Sequence, residues 1–265
     1  MMNINHRRTL IVGNWKEHEN VAQAGLLAAR LHKHITGHRD IEVVLAPSML
    51  ALQPLSLQID RRRFRLASQN ANAKDEGALT GEVSFAMLRG LVHYGIVGHS
   101  ERRIYFGETL EDVRDKVAAS IRNSIMPIMC VGETAQERHA EEAKQVLHDQ
   151  VVSGLSNLTA EEVKHVVIAY EPVWAISNFG GELAKPDVVA SNMKFIRNQV
   201  RELYGAAAAK DLRILYGGSV DDHIAGGYLA LDDCDGLLVG SASLNYRKFT
   251  GIVAAAYRNN RKEPA

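Results

Sequence analysis

The sequence predicts an α/β protein: one domain over residues 1–265, folded as a (β/α)8 barrel with eight parallel strands closed into a single sheet. Three observations carry that prediction. Short, near-continuous apolar runs rich in β-branched residues recur along the chain, as strands buried on both faces require. Each is followed by a longer helical pattern, and repeated βα units imply parallel strands with right-handed crossovers. Eight such units in about 250 residues is the size of a closed barrel. An open doubly wound sheet is the rival, but it would place a glycine-rich phosphate loop after its first strand, and no G-x-G-x-x-G stands there.

In chain order the predicted strands are Thr9–Val12, Ile41–Ala46, Phe64–Ala67, Tyr94–Val97, Met126–Val131, Val166–Ala169, Arg213–Leu215 and Gly236–Val239. Among the helical patterns between them are Leu110–Asn123, Ala135–Gly154 and Pro186–Tyr204. The last of these opens on a proline, which loses no needed donor in a first turn. A final helix is predicted over Leu244–Tyr257, and the tail Arg258–Ala265 is expected to fray. One connection is anomalous: residues 69–84 read QNANAKDEGALTGEVS, far longer and more polar than a βα loop of about 2–6 residues.

Composition narrows the function. Of the 265 residues 46% are apolar and 23% charged, enough apolar surface for a sizeable core. Thirty-one basic side chains balance 31 acidic ones, so no overall field draws the chain to nucleic acid or to an anionic membrane. The run Arg61-Arg62-Arg63 is too short to alter that reading. Two cysteines, Cys130 and Cys234, make no disulfide framework. No apolar stretch is long enough for a membrane span or a secretory signal, and a cytoplasmic protein is expected. His34 and His38 have helical spacing, but nothing completes a metal site around them.

In a barrel of this kind the chemistry gathers at the C-terminal ends of the strands. Those ends read Gly13-Asn14-Trp15-Lys16, Gly98-His99-Ser100-Glu101-Arg102-Arg103, Cys130-Val131-Gly132-Glu133, Tyr170-Glu171-Pro172, Tyr216-Gly217-Gly218-Ser219 and Val239-Gly240-Ser241. Singly, each has an ordinary explanation: Lys16 as a solvated lysine, His99 as a helix cap, Glu171 as a surface acid, Gly217-Gly218 as a tight turn. Together on one rim they supply a point charge, a neutral donor, a carboxylate base and two glycine-rich turns where barrels hold phosphate. The set suits proton abstraction next to a carbonyl in a small phosphorylated molecule.

These segments also carry a family resemblance. GNWK at Gly13–Lys16, KDEGALTGEVS at Lys74–Ser84, GHSERR at Gly98–Arg103, CVGE at Cys130–Glu133, AYEPVWAI at Ala169–Ile176, YGGSV at Tyr216–Val220 and DGLLVGSASL at Asp235–Leu244 occur in the order found in triosephosphate isomerases. The chain resembles that family from Leu10 to about Tyr257. The resemblance implies a TIM barrel that interconverts dihydroxyacetone phosphate and glyceraldehyde 3-phosphate with neither cofactor nor metal. It implies Glu171 as the base, His99 as a neutral imidazole at the carbonyl oxygen, Lys16 offsetting substrate charge and Asn14 donating at the same oxygen; this pairing of base and neutral electrophile is the family's own well-known case. It further implies Glu101 in support, Ile176 and Leu238 as apolar walls, and phosphate held by the backbone of Ser177, Ser219, Gly240 and Ser241. Loop 69–84 matches an intersubunit loop. A homodimer is therefore implied, with Thr80 reaching the partner's Asn14 and Lys16 region and an ion pair between Glu82 and Arg102 at the interface. Glu17 falls where the neighbour's loop would pack.

The lid departs from the family pattern. Where Gly-Thr-Gly-Lys usually follows the isoleucine, this chain has Ser177-Asn178-Phe179-Gly180-Gly181-Glu182. Closure through backbone contacts, with altered opening kinetics, is the expectation. Two other readings share this rim: a different phosphosugar enzyme on the same barrel, and a binding scaffold without catalysis. Mere phosphate binding would need neither Glu171 nor His99.

Overall fold

A computed structural model describes residues 8–260. Eight strands, β1 (Thr9–Asn14), β2 (Ile41–Ala46), β3 (Phe64–Ser68), β4 (Tyr94–Val97), β5 (Met126–Val131), β6 (Val167–Tyr170), β7 (Arg213–Tyr216) and β8 (Gly236–Val239), pair in sequence order. Every pairing is parallel, and β8 closes on β1 from Leu10 opposite Gly236 to Gly13 opposite Val239. At Gly236 the seam leaves no room for a side chain, since a Cβ there would stand 1.9 Å from the Leu10 carbonyl oxygen. The closed sheet is the architecture the apolar runs predict, with strand ends shifted by at most two residues.

Alternation along each strand sorts the core into two layers. Leu10, Val12, Val44, Ala46, Ala67, Ile96, Ile128, Ala169, Leu215 and Leu238 fill the barrel. Their neighbours Ile11, Val43, Leu45, Leu66, Met129, Ile168, Ile214 and Leu237 point outward into a second layer under the helices. This is why the strands read as unbroken apolar runs: both faces are dry. Cys130 lies in the inner layer, where burial pushes its thiol well up and keeps it protonated.

The floor of the barrel is polar. The buried Arg213 guanidinium donates to Glu42 Oε2 at 3.0 Å and to the Tyr94 hydroxyl at 2.7 Å. Beside it Arg65 bonds His93 Nε2 at 2.7 Å, and desolvation together with the charges of Arg65 and Arg61 lowers His93 to about 4.

Two helical predictions are corrected in detail. Ala135–Gly154 is two helices, Ala135–His139 and Ala143–Leu155, because Glu141 takes a left-handed φ of 62°. The helix from Pro186 ends after Tyr204 as expected, where Gly205 takes φ 88°, and a second helical stretch continues to Asp211. The C-terminal pattern is a short 3-10 turn, Ser241–Leu244, followed by helix Tyr246–Asn260. That helix continues beyond Arg258, where fraying is expected; residues 261–265 lie outside the described part. His34 ends its helix, so His38 does not share a helix face with it. No helix among the described residues is long and apolar enough to cross a membrane.

Candidate active site

The C-terminal ends of β1, β4, β6, β7 and β8 surround a cavity of about 460 Å3. Asn14, Lys16, His99, Glu171, Ile176, Ser177, Ser219, Leu238, Gly240 and Ser241 all line it. Every residue the sequence places in catalysis or phosphate binding is thus brought to one hollow. Glu101, Thr80, Glu82 and Arg102 are not in its wall.

Glu171 follows β6 directly, and its side chain is almost wholly buried. One carboxylate oxygen, Oε2, accepts from the Ser100 amide at 3.2 Å. The other, Oε1, lies 3.2 Å from His99 Nε2 yet has no hydrogen-bond donor placed to satisfy it among the described residues. A buried carboxylate oxygen left uncommitted is costly and rare, and chemistry is one of the few reasons to keep one.

His99 caps the helix Ser100–Phe106, and its Nδ1 accepts from the Glu101 amide at 3.3 Å. An accepting Nδ1 carries no proton, so this contact assigns the ring as neutral with its proton on Nε2, the nitrogen facing Glu171.

Lys16 adopts φ 52°, a left-handed conformation uncommon for a side-chain-bearing residue. Two contacts hold it there. Its amide donates to Asn14 Oδ1 at 3.1 Å, and Gln69 Nε2 donates to its carbonyl at 2.7 Å. Strain retained under such bracing is characteristic of functional positions. The ammonium lies 2.5 Å from Glu101 Oε1. Burial alone would push the Glu101 carboxyl up, but the hydrogen bond and charge of Lys16 and the bond from Asn178 hold it below the usual range.

The cradle lies opposite. Ser177 and Ser219 hydroxyls are 3.0 Å apart, and Gly240 backs directly onto the Lys16 side chain. The Ser219 amide, read from sequence as a phosphate donor, is committed here to the Ala175 carbonyl at 3.1 Å. Ile176 and Leu238 are buried and supply the apolar walls.

A second cavity, of about 810 Å3, adjoins the first. It is bounded by loop 69–84 and the helix Ser100–Phe106, and Glu17, Glu82 and Arg102 line it. Within one chain Arg102 faces Glu108 at 3.4 Å and Glu82 accepts from Asn72, so those two predicted partners do not meet. Thr80 stands on the exposed stretch 76–82, and Asp75, gripped by Arg122 and Asn123, pins the base of the loop.

With this geometry in view, comparison with known proteins is direct. The family profile described as triosephosphate isomerase matches residues 9–256. The chain belongs to the triosephosphate isomerase family. A triosephosphate isomerase of Chloroherpeton thalassium is 42% identical over 252 residues, 94% of this chain and 99% of its own. Those of Carboxydothermus hydrogenoformans and Symbiobacterium thermophilum are each 41% identical, covering 93% and 94% of this chain and 98% and 97% of theirs.

One residue of this family member's site escapes sequence reasoning. Glu133, after β5, is buried and accepts from the Tyr170 hydroxyl at 3.0 Å and the Trp174 indole at 2.9 Å, while its carbonyl accepts from the Val173 amide. It fastens the start of the lid to the barrel. Burial pushes its carboxyl up against those bonds. Its place in CVGE at a strand end is the only signal the sequence offers.

Proposed function

We propose that Glu171, His99, Lys16 and Asn14 carry out the isomerisation, with Ser177, Ser219, Gly240 and Ser241 holding the substrate phosphate. The activity itself is that of the family: the chain is an aldose–ketose isomerase of glycolysis and gluconeogenesis that interconverts dihydroxyacetone phosphate and D-glyceraldehyde 3-phosphate. The observation that carries the residue roles is the buried Glu171 carboxylate, with Oε1 uncommitted and 3.2 Å from a neutral His99 Nε2.

In this reading Glu171 Oε1 removes the proton from the carbon next to the carbonyl. The electron pair moves onto the carbonyl oxygen, where His99 Nε2–H and Asn14 donate to the enediolate. A proton passes from the hydroxyl oxygen to the enediolate oxygen through His99 Nε2, and Glu171 returns its proton to the former carbonyl carbon, so the old hydroxyl becomes the new carbonyl. Donors fixed in advance in a walled cavity stabilise the growing oxyanion without reorganising. The Lys16 ammonium offsets the combined charge of enediolate and phosphate. Burial against Ile176 and Leu238 excludes the water that would level the base or drain the intermediate.

Replacing Glu171 by Gln is expected to lower kcat by about 10²–10⁴ while leaving inhibition by inorganic phosphate unchanged, measured in a coupled glyceraldehyde 3-phosphate assay. Equal losses in both would contradict the role.

The second cavity and the exposed apolar side chains Met49, Tyr105 and Phe106 that line it support a homodimer built on loop 69–84. Thr80 would then approach the partner's Lys16, and Glu82 would pair with Arg102 across the interface. A fully active monomer in sedimentation at assay concentration would remove this part. We place the enzyme in the cytoplasm, in keeping with its two free thiols.

A further inference from the structure

The lid of this chain does not end in free space. After the 3-10 turn Val173–Ala175, the amides of Phe179 and Gly181 both donate to the Ile176 carbonyl, at 2.9 and 3.2 Å, and curl the tip around it. That curl presents Asn178 and Phe179 to the helix Ser100–Phe106. Asn178 Nδ2 donates to Glu101 Oε1 at 3.0 Å, and the Phe179 ring lies 5.6 Å from Tyr105. Glu101 Oε1 is the same oxygen that holds the Lys16 ammonium. Asn178 also lines both cavities, standing where the phosphate pocket meets the hollow beside loop 69–84.

We propose that Asn178 is a positioning residue for Lys16, acting through Glu101. The inference rests on the isomerase reading of the site. Lys16 cannot serve a substrate while its charge is spent on Glu101, and drawing it away strips a half-buried carboxylate of its partner. Such a carboxylate is expensive unless another donor remains. The Asn178 carboxamide is that donor: it keeps Glu101 satisfied as the ammonium turns toward the phosphate and enediolate. The lid tip therefore sets how readily Lys16 is released.

The wild-type coupled assay comes first, and an inactive wild type would overturn the isomerase reading itself. Given activity, Asn178→Ala is expected to lower kcat/KM about tenfold, chiefly through KM, as loss of one hydrogen bond to a charged group predicts. Asn178→Gln, which can still donate, is expected to stay within about threefold of wild type. Asn178→Asp is the discriminating variant. A second carboxylate beside Glu101 grips Lys16 harder once both are ionised. Its kcat/KM relative to wild type should then fall as pH rises from about 5 to 7.5, while the Asn178→Ala ratio stays flat. A merely structural contact would lower thermal stability without moving the pH ratio. Wild-type kcat/KM in Asn178→Ala, or a flat ratio in folded Asn178→Asp, overturns the proposal. Should Asn178→Asp not fold, the KM contrast between Ala and Gln decides.

Discussion

Gly217 gives the sharpest test of how tightly Glu171, the proposed base, is held. It follows β7 and lies under the Glu171 side chain, where a Cβ would stand 2.7 Å from Glu171 Cγ and 3.5 Å from Oε1. Its backbone is not left-handed, so an alanine there meets a contact problem rather than a conformational one. Ordinary carbon contacts begin near 3.4 Å, and Gly217→Ala must therefore push Glu171 aside by about 0.7 Å or more. The Glu171 backbone cannot follow, because its amide is tied to the Val131 carbonyl at 2.7 Å. The displacement falls on the carboxylate. A misplacement near 1 Å costs about 10² in rate, so kcat should fall by about that factor. KM should change little, since Ser177, Ser219, Gly240 and Ser241 are untouched. The assay is steady-state isomerisation with a coupled dehydrogenase, run beside circular dichroism to establish that the fold is intact. A folded Gly217→Ala enzyme with undiminished kcat would refute the claim that the base works only where the structure holds it.

Two further outcomes concern the floor of the barrel. His93 is lowered to about 4 in the fold against an ordinary value of 6.5, so between those values the unfolded chain binds the extra proton. Stability contributed by neutral His93 is present above about 6.5 and is lost as pH falls toward 4. Urea unfolding of His93→Gln across that window should show a flatter pH dependence than wild type. Removing the Arg213 guanidinium leaves Glu42 and Tyr94 without their shared donor, and Arg213→Ala should cost about 3–5 kcal/mol, read from the denaturant midpoint; a loss below 1 kcal/mol would show the cluster to be dispensable.

The closed sheet was legible because the strands are buried on both faces over most of their length, so each wrote itself as a largely apolar run. The rim was legible because GNWK, GHSERR and AYEPVWAI keep chemistry-bearing residues next to those runs. What was hidden depends on distance or on local backbone geometry. Nothing in HAEEAKQ, with neither proline nor glycine, announces that Glu141 will turn left-handed and break a helix. Asn178 and Glu101 are separated by 77 residues, and a contact of that kind has no periodic signature. The commitment of the Ser219 amide to Ala175 depends on where the lid rests. Glu133 sat in a recognised motif, but its grip on Trp174 and Tyr170 follows from the packing of the lid's base against β5 and β6.

The polar floor and the cavity at the opposite rim are joined by short strands. From Arg213 to Gly217 is four residues, about 13 Å of extended chain, and the space between is plugged by side chains such as Leu215, Ala169 and Ile96. Such a plug transmits neither protons nor water. The two ends of the molecule are thereby insulated: one is a rivet and the other a tool. Natural or designed changes can retool the upper face for another phosphorylated carbonyl compound while the lower face goes on clamping the staves together.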